Sequence, residues 1–233
     1  MTEVDLFLNG PLGAWILDQV DAGQVGCVHS PTAEICRQAR ALGIAAIEGN
    51  ANAVTYQAAS VGLSMHYPYI LKGHVLERYA ALYNIHPALL PWGKCYYPVF
   101  WALWAGEPAG CTLHRIAAGI DDGPIVAQRE VPVYLWDTGG TLHQRVSEAE
   151  KGLFLTFWPK IAAGVFYEGT PQPEGGSFHY RSEFMRLKNE VDVEALSGPE
   201  LLDLIRCLSH PAYSGLVVTL GARSYEVSMW PLT

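Results

Sequence analysis

The chain has 233 residues, of which 50% are hydrophobic and 16% are charged. A chain of this length can bury a substantial core, as one domain or as one domain with a small appendage. The formal net charge is -8 at pH 7, and no run of basic residues is longer than two. Binding to nucleic acid needs a basic surface, so this charge disfavours such a partner.

Signals for membranes and targeting are weak in this sequence. The most apolar stretch, residues 153–166, contains Lys160, and it is shorter than the roughly 20 residues that a helical span requires. Residues 1–5 contain no basic segment leading into an apolar one, so we expect no signal peptide. The sequence therefore predicts a cytoplasmic protein without a membrane partner.

The cysteines do not indicate a disulfide framework or a metal site. There are five, at irregular spacing and without a C-x-x-C pair, which predicts free and mostly buried thiols. Cys111 and His114 form a C-x-x-H, but a zinc site needs a second pair of ligands, and the sequence shows none. We expect no bound metal.

The first half of the sequence alternates short apolar runs with helical stretches. In chain order these predict a strand at 4–8, a helix at 12–22, a strand at 25–28, a helix from Ser30-Pro31 to Gly43, a strand at 44–47, a helix near 52–59, a strand at 61–64, a helix at 73–81 and a strand at 82–85. This alternation favours an α/β domain with a mainly parallel sheet. Ligands of such sheets collect beyond the carboxyl ends of the strands, which places Asn9, residues 64–67 and residues 84–86 on the expected ligand side.

The second half predicts two further strands, a long helix and a small tail. The strands are expected at 112–117 and 125–133, joined by a tight segment at 118–124, and the helix at 141–163. Glycines and prolines at 169–176 then separate a short helix (199–208) and two strands (216–220 and 224–229). We therefore divide the chain into a main domain, residues 1–165, and a C-terminal α+β appendage, residues 166–233.

Two polar residues at the end of a predicted strand could carry chemistry. Asn84 and His86 are two positions apart, so their side chains point to the same face. Pro87 and Pro91 keep the following segment extended. An amide donor beside an imidazole can stabilise an oxyanion and move a proton. A turn-forming asparagine and a histidine in a satisfied polar site remain the more frequent interpretation of such a pair alone.

A second element offers two carboxylates, Asp121 and Asp122, on a constrained loop before Gly123-Pro124. A carboxylate near an imidazole can orient the ring and stabilise its charged form. Asp-Gly turns are also common without any catalytic role. Spacing alone therefore does not bring this loop to the Asn84 and His86 pair.

The motifs between residues 82 and 131 resemble those of the folate-dependent formyltransferase family. They are Asn84-x-His86-Pro87-x-Leu89-Leu90-Pro91, Gly106-Glu107, Gly110-x-Thr112-x-His114 and Asp121-x-Gly123-x-Ile125-x-x-Gln128. The weaker α/β pattern extends the resemblance over residues 1–165. It implies a Rossmann-like formyltransferase domain with Asn84, His86 and Asp121 as catalytic residues. Asp121 is preferred to Asp122 because the family pattern is Asp-x-Gly.

The resemblance also implies a mechanism. The family moves a formyl group from 10-formyltetrahydrofolate to an amine by direct attack, without a covalent enzyme intermediate and without a metal. Asn84 would donate to the tetrahedral oxyanion and His86 would assist, while Asp121 would hold His86 and help to remove the amine proton. The pterin of the co-substrate is expected beside the strand and loop before Asn84 and beside the later acidic loop. The residues expected to bind it are Ser64, Met65, His66, Tyr67, Gly119, Ile120 and Asp122, with His66 equally open to interpretation as a loop residue without contact.

The acceptor amine is less defined than the reaction. The loop at Asn9 lacks the glycine-serine pattern of the purine-pathway enzyme and also G-x-G-x-x-G, which disfavours a dinucleotide. The chain is short for methionyl-tRNA formyltransferase, and its acidity disfavours tRNA. The segment 92–100 and the tail most resemble the nucleotide-sugar N-formyltransferases that act on dTDP-amino sugars. The expected substrate-binding residues are Asn9, Trp92, Gly93, Lys94, Tyr96, Tyr97 and Pro98.

Some alternatives stay open at this point. Aromatic residues in the loop could stack on thymine, whereas Phe100, Trp101 and Trp104 are expected to pack a helix. Lys94 stands where the sugar enzymes often carry arginine. Another acceptor, such as an amino acid or an aminoglycoside, or a non-catalytic protein that binds folate or nucleotide sugar, would fit the same motifs. Apolar residues of the tail (Tyr213, Tyr225 and Trp230) and of the helix 153–161 indicate a homodimer.

Overall fold

The computed structural model describes residues 3–211 and 215–230. Contacts divide the chain into two compact units. The first unit comprises Met1–His86, Thr112–Arg129 and Glu150–Pro173. The second comprises Pro87–Cys111, Glu130–Ala149 and Glu174–Thr233. The division near residue 165 into a main domain and an appendage stays a prediction.

Strands and helices alternate over most of the described chain. The strands are β1 (Val4–Leu8), β2 (Val25–Ser30), β3 (Ala45–Glu48), β4 (Val61–Met65), β5 (Ala81–His86), β6 (Lys94–Cys95), β7 (Gly110–Arg115), β8 (Ile125–Glu130), β9 (Phe178–His179), β10 (Leu216–Leu220) and β11 (Arg223–Val227). The helices are α1 (Gly10–Leu17), α2 (Ala33–Ala41), α3 (Gly73–Leu76), α4 (Pro98–Trp104), α5 (Gly139–Ala162), α6 (Arg181–Asn189) and α7 (Gly198–Leu208). No helix among the described residues is long and apolar enough to cross a membrane.

The central sheet has seven strands in the order β3-β2-β1-β4-β5-β7-β8. The first five of these are mutually parallel, and β7 runs antiparallel to β5. Every residue of β1 and β4 is buried, as expected for parallel strands covered on both faces. The predicted α/β domain with a mainly parallel sheet is confirmed. The carboxyl ends of β1, β4 and β5 lie at one edge of this sheet.

The second unit contains the tail. Its helix α7 begins at Gly198, where Ser197 and Glu200 form a capping box: the Glu200 carboxylate accepts from the Ser197 N–H at 2.8 Å. Strands β10 and β11 form an antiparallel hairpin, so the small α+β tail is also confirmed. Strand β6 pairs in parallel with β9 in a separate two-stranded sheet.

Several helix predictions were wrong in extent. The region 52–59 contains only a 3-10 turn at Ala51–Ala53. Asn52 explains this difference: its side-chain amide donates to the Ile70 carbonyl at 2.9 Å and accepts from the Lys72 N–H at 2.8 Å, which ties the segment to another loop. The predicted helices at 12–22 and 73–81 shorten to α1 and α3, and helix α6 was not predicted.

The core of the first unit encloses His29, on β2. Its ring is fully buried and stacks on Phe7, with 4.6 Å between ring centroids. Neither ring nitrogen has a hydrogen-bond partner among the described residues. Burial lowers the pKa of His29 to about 4. The neutral ring therefore acts as an apolar core residue.

Replacing His29 with leucine should make the fold less sensitive to acid. The folded pKa lies below the unfolded one, so the unfolded chain takes up the extra proton, and stability falls as the pH drops through 6.5 toward 4. Urea unfolding at pH 7.5 and pH 5 should show the variant gaining about 2 kcal/mol over the wild type at the lower pH. An unchanged difference between the two pH values would contradict the prediction.

Candidate active site

Strand β5 carries Asn84 and His86 on one face at its carboxyl end. The ring of His86 is buried, at 6% exposure. The antiparallel register with β7 places Asn84 opposite His114 and His86 opposite Thr112. Directly opposed residues of neighbouring strands point to the same face. His114 therefore joins the pair on β5.

The loop between β7 and β8 is folded back on the end of β7. The Arg115 N–H donates to the Pro124 carbonyl at 2.9 Å. Gly123 leaves no room for a Cβ, because the Arg115 carbonyl oxygen occupies that space. The Gln172 amide donates to the carbonyls of Asp121 (2.7 Å) and Gly123 (2.9 Å). Asp121 takes the left-handed backbone conformation, with φ 51°, which aspartate tolerates better than most residues.

This loop brings Asp121 between two imidazoles. Asp121 Oδ2 lies 3.8 Å from His86 Nδ1, and its Oδ1 lies 3.6 Å from His114 Nε2. The Nδ2 of Asn84 lies 3.3 Å from the same Nε2. The structure thus brings together Asn84, His86 and Asp121, and it adds His114 to them. Both carboxylate distances are longer than hydrogen bonds.

Burial sets the charge state of His114. It lowers the pKa of this imidazole to about 4, and the negative charge of Asp121 offsets only part of the effect. His114 is therefore neutral near pH 7. The site combines an amide donor, a neutral imidazole, and a second imidazole beside a carboxylate, which suits a reaction that develops an oxyanion and releases a proton.

The neighbouring acid, Asp122, is placed differently. It is exposed, and its side chain packs where a Cβ on Gly119 would lie. Ile120 is half-buried in the same loop. The structure therefore places Asp121, and not Asp122, between the imidazoles. Pterin binding by Gly119, Ile120 and Asp122 stays a prediction.

The predicted pterin segment at the end of β4 turns two of its side chains inward. His66 has φ 58° and its Nε2 lies 2.9 Å from Oε1 of the fully buried Glu150. Burial opposes a charge on this ring, yet Glu150 raises the pKa of His66 above its ordinary value. The Tyr67 hydroxyl donates to the Gly49 carbonyl at 3.0 Å.

Ser64 and Met65, which precede this pair, are buried in β4. The side chains of His66 and Tyr67 are held by internal partners. Pterin binding by Ser64, Met65, His66 and Tyr67 stays a prediction.

The residues predicted to bind the acceptor lie in both units. In the first, Asn9 Oδ1 accepts from the Thr32 hydroxyl at 2.8 Å. In the second, Trp92 and Tyr96 are exposed, at 39% and 42%, and Lys94 is half-buried in β6.

Other members of the acceptor loop have structural contacts. The Gly93 N–H donates to the Ser177 hydroxyl at 2.7 Å. The Tyr97 ring stacks on Phe184 at 3.8 Å. Pro98 is the first residue of α4. In that helix Phe100 and Trp101 are buried, in agreement with the predicted helix packing.

Sequence reasoning gave no role to His114 and did not find Gln172. His114 was visible in the motif series, and the β5–β7 register is what assigns it to the site. Gln172 lies in a loop far along the chain from Asp121 and carries no local signal. Its position depends on contacts that a single sequence does not show.

The sheet and the cluster at its edge define an α/β protein with a site suited to acyl-type transfer. Residues 29–157, more than half of the chain, match the family model described as formyl transferase. The chain belongs to the formyl transferase family.

Curated relatives carry more specific names. A dTDP-4-amino-4,6-dideoxyglucose formyltransferase from Mycobacterium tuberculosis is 28% identical over 151 residues, which are 62% of this chain and 64% of the relative. The same figures hold for the Mycobacterium bovis protein of that name. The match therefore spans less than two thirds of these relatives' own length.

Solved structures share the fold. A sugar N-formyltransferase from Shewanella sp FDAARGOS_354 has a TM-score of 0.79 at 24% identity, over 98% of this chain and 97% of that chain. The formyltransferase PseJ from Anoxybacillus kamchatkensis, in complex with UDP-4,6-dideoxy-4-formamido-L-AltNAc and tetrahydrofolate, has a TM-score of 0.61 at 26% identity, over 79% of this chain and 88% of that chain. The expected Rossmann-like formyltransferase domain is confirmed.

Proposed function

We propose that this protein transfers a formyl group from 10-formyltetrahydrofolate to the amine of a nucleotide-linked amino sugar. The observation that carries the proposal is the cluster of Asn84, His86 and Asp121 at the carboxyl edge of the sheet, with 3.8 Å between His86 Nδ1 and Asp121 Oδ2. An amide donor, an imidazole and a carboxylate at one place can support direct attack of an amine on a formyl carbon.

The proposed chemistry follows from the three side chains. The amine nitrogen bonds to the formyl carbon, and the formyl oxygen becomes an oxyanion. Asn84 donates to this oxygen through its amide N–H, and His86 assists on the same face. The bond from the formyl carbon to the folate nitrogen then breaks, and that nitrogen takes a proton. Asp121 holds His86 and helps to remove the proton that the amine loses.

The acceptor is proposed from the relatives and from the exposed aromatic residues. The Mycobacterium relatives are named for a dTDP-4-amino sugar, and PseJ was solved with a UDP-linked formamido sugar. Trp92 and Tyr96 expose ring surface in this chain, and such rings can stack on a base or cover a sugar. A dTDP-linked 4-amino or 3-amino dideoxyhexose is the proposed acceptor.

A homodimer and a cytoplasmic location also belong to the proposal. Tyr225 and Trp230 are exposed in the tail, at 48% and 56%, whereas Tyr213 lies outside the described residues. In the helix 153–161, Leu155 is exposed at 52%, whereas Phe154 and Trp158 are buried. Trp158 donates to the Gln24 side chain at 3.2 Å within the first unit.

One assay tests the proposed function. The protein is mixed with 10-formyltetrahydrofolate and each of several amines, and the release of tetrahydrofolate is followed. We expect release with dTDP-4-amino or dTDP-3-amino sugars. Release only with amino acids or aminoglycosides would overturn the acceptor and keep the chemistry. No release with any amine would favour a non-catalytic binding protein.

A further inference from the structure

His114 is a buried side chain of the site that has no part in the reaction as described above. Its ring is 2% exposed and faces Asn84 across the β5–β7 ladder. Its two nitrogens have different partners. Nδ1 lies 2.8 Å from the Arg115 carbonyl oxygen, and Nε2 lies 3.3 Å from Asn84 Nδ2.

These partners determine which nitrogen carries the proton. A carbonyl oxygen only accepts hydrogen bonds, so Nδ1 of His114 must carry hydrogen and donate to Arg115. In a neutral imidazole the other nitrogen then presents a lone pair. Nε2 of His114 therefore accepts a hydrogen bond from the Asn84 amide.

The lone pair on Nε2 also determines the orientation of the amide. If the Asn84 amide were flipped, its oxygen would face the Nε2 lone pair, and two acceptors would repel each other. With the nitrogen facing His114, one amide hydrogen is used by the ring and the other is free to serve the reaction. The amide nitrogen then lies on the side of Nε2 and of Asp121, whose Oδ1 is 3.6 Å from Nε2.

We propose that His114 is a positioning residue, which as the neutral Nδ1–H tautomer holds the nitrogen side of the Asn84 amide toward the reacting formyl group. This role rests on the proposed formyl transfer. A charged His114 would carry hydrogen on Nε2 as well, and it would favour the amide oxygen of Asn84 in place of the nitrogen. Burial lowers the pKa of His114 to about 4, against the opposing charge of Asp121, so the charged form is not populated near pH 7.

The first experiment compares His114→Leu with His114→Gln. Leucine removes the acceptor, whereas the glutamine carbonyl oxygen can still accept from Asn84. We expect leucine to lower kcat by roughly tenfold to a hundredfold, no more than the loss of the oxyanion donor itself, with KM for both substrates near the wild-type value. Glutamine should recover a large part of kcat. Equal losses in the two variants would overturn the proposal.

A double-mutant cycle with Asn84→Ala tests whether His114 acts through the amide. In the Asn84→Ala background, His114→Leu should have almost no further effect on kcat, because the group that it positions is already gone. A full and independent loss in that background would contradict a positioning role. His29→Leu is the matched control, since it makes the same substitution at another buried histidine of the sheet, outside the site, and should leave kcat unchanged.

A spectroscopic measurement separates this proposal from the proposed function. Proton–nitrogen correlation spectra of histidine-labelled protein distinguish the Nδ1–H from the Nε2–H tautomer without any substrate. We expect His114 to be neutral and Nδ1-protonated from pH 7.5 down to pH 5. An Nε2–H tautomer would overturn the proposal even in an active enzyme. If no amine is formylated, the proposed function fails, while the spectrum still decides whether His114 presents an acceptor to Asn84.

Discussion

Asn84→Ala should lower kcat by about 100- to 1,000-fold, since the loss of one oxyanion donor typically costs about 2.7–4 kcal/mol of transition-state stabilisation. The amide lies at the carboxyl end of β5, and its nitrogen is 3.3 Å from His114 Nε2. The charge on the formyl oxygen develops only after attack. The loss should therefore fall on kcat, with little change in KM for the folate or for the amino sugar.

Steady-state kinetics of folded protein, checked by thermal unfolding, measure this effect. Asn52→Ala is a suitable control, because it removes another asparagine amide of the same unit, whose partners are Asn50, Ile70 and Lys72. The control should keep the wild-type kcat. A kcat of Asn84→Ala within a few-fold of the wild type would exclude Asn84 as the oxyanion donor. A rise in KM alone would make it a binding residue.

The sheet was predictable because its strands are short apolar runs between glycines, prolines and polar turns. β1 was predicted at its observed bounds, and β2, β4 and β5 were predicted within two residues at either end. Buried strands depend mainly on local composition, which one sequence displays. The parallel order then follows from the helices between the strands.

Other elements depend on contacts that are distant in the sequence. The apolar and polar residues at 52–59 fit a helical pattern, but hydrogen bonds from Asn52 to a loop eighteen and twenty residues later hold the segment open. Helix α6 has mostly polar residues, and Phe184 is its one buried residue. No local pattern in the sequence predicts the open segment at 52–59 or the helix α6.

Part of the site was predictable because it depends on local spacing in the sequence. Asn84 and His86 share a face through the two-residue period of a strand, and the choice of Asp121 over Asp122 followed from the spacing to Gly123. The closure of the loop on β7, the two hydrogen bonds from Gln172 and the position of His114 opposite Asn84 depend on the folded backbone and on tertiary contacts. A single sequence shows none of these directly.

Asp137→Ala should destabilise the protein by about 3 kcal/mol, at the lower end of the range for breaking a buried ion pair. The Asp137 side chain is fully buried. Its two oxygens accept from both terminal nitrogens of Arg145, each at 2.9 Å, from the Thr141 hydroxyl at 2.8 Å and from the Tyr134 N–H at 2.8 Å. Alanine would remove the carboxylate acceptor from all of these donors, although Arg145 keeps the Pro132 carbonyl and Thr141 keeps the Thr138 carbonyl. The lower end applies because Arg145 keeps 23% of its side chain exposed, where water can replace part of the loss.

The stability that Asp137→Ala loses should depend on pH, in a direction that can be measured. Burial acts to raise the pKa of Asp137, but its hydrogen bonds with Arg145, Tyr134 and Thr141 outweigh burial and lower the pKa below its ordinary value. The stabilisation is therefore present above the unfolded pKa of about 4 and is lost as the pH falls through the lower folded pKa. Urea unfolding should show the deficit of Asp137→Ala at pH 7 and a smaller deficit in strong acid.

Removing the cation as well, in Asp137→Ala/Arg145→Met, should recover part of the stability at pH 7, because no unpaired charge is left beside the Tyr134 ring. A loss below about 1 kcal/mol for the single variant would mean that water replaces the carboxylate at little cost, as it does for ion pairs on the surface.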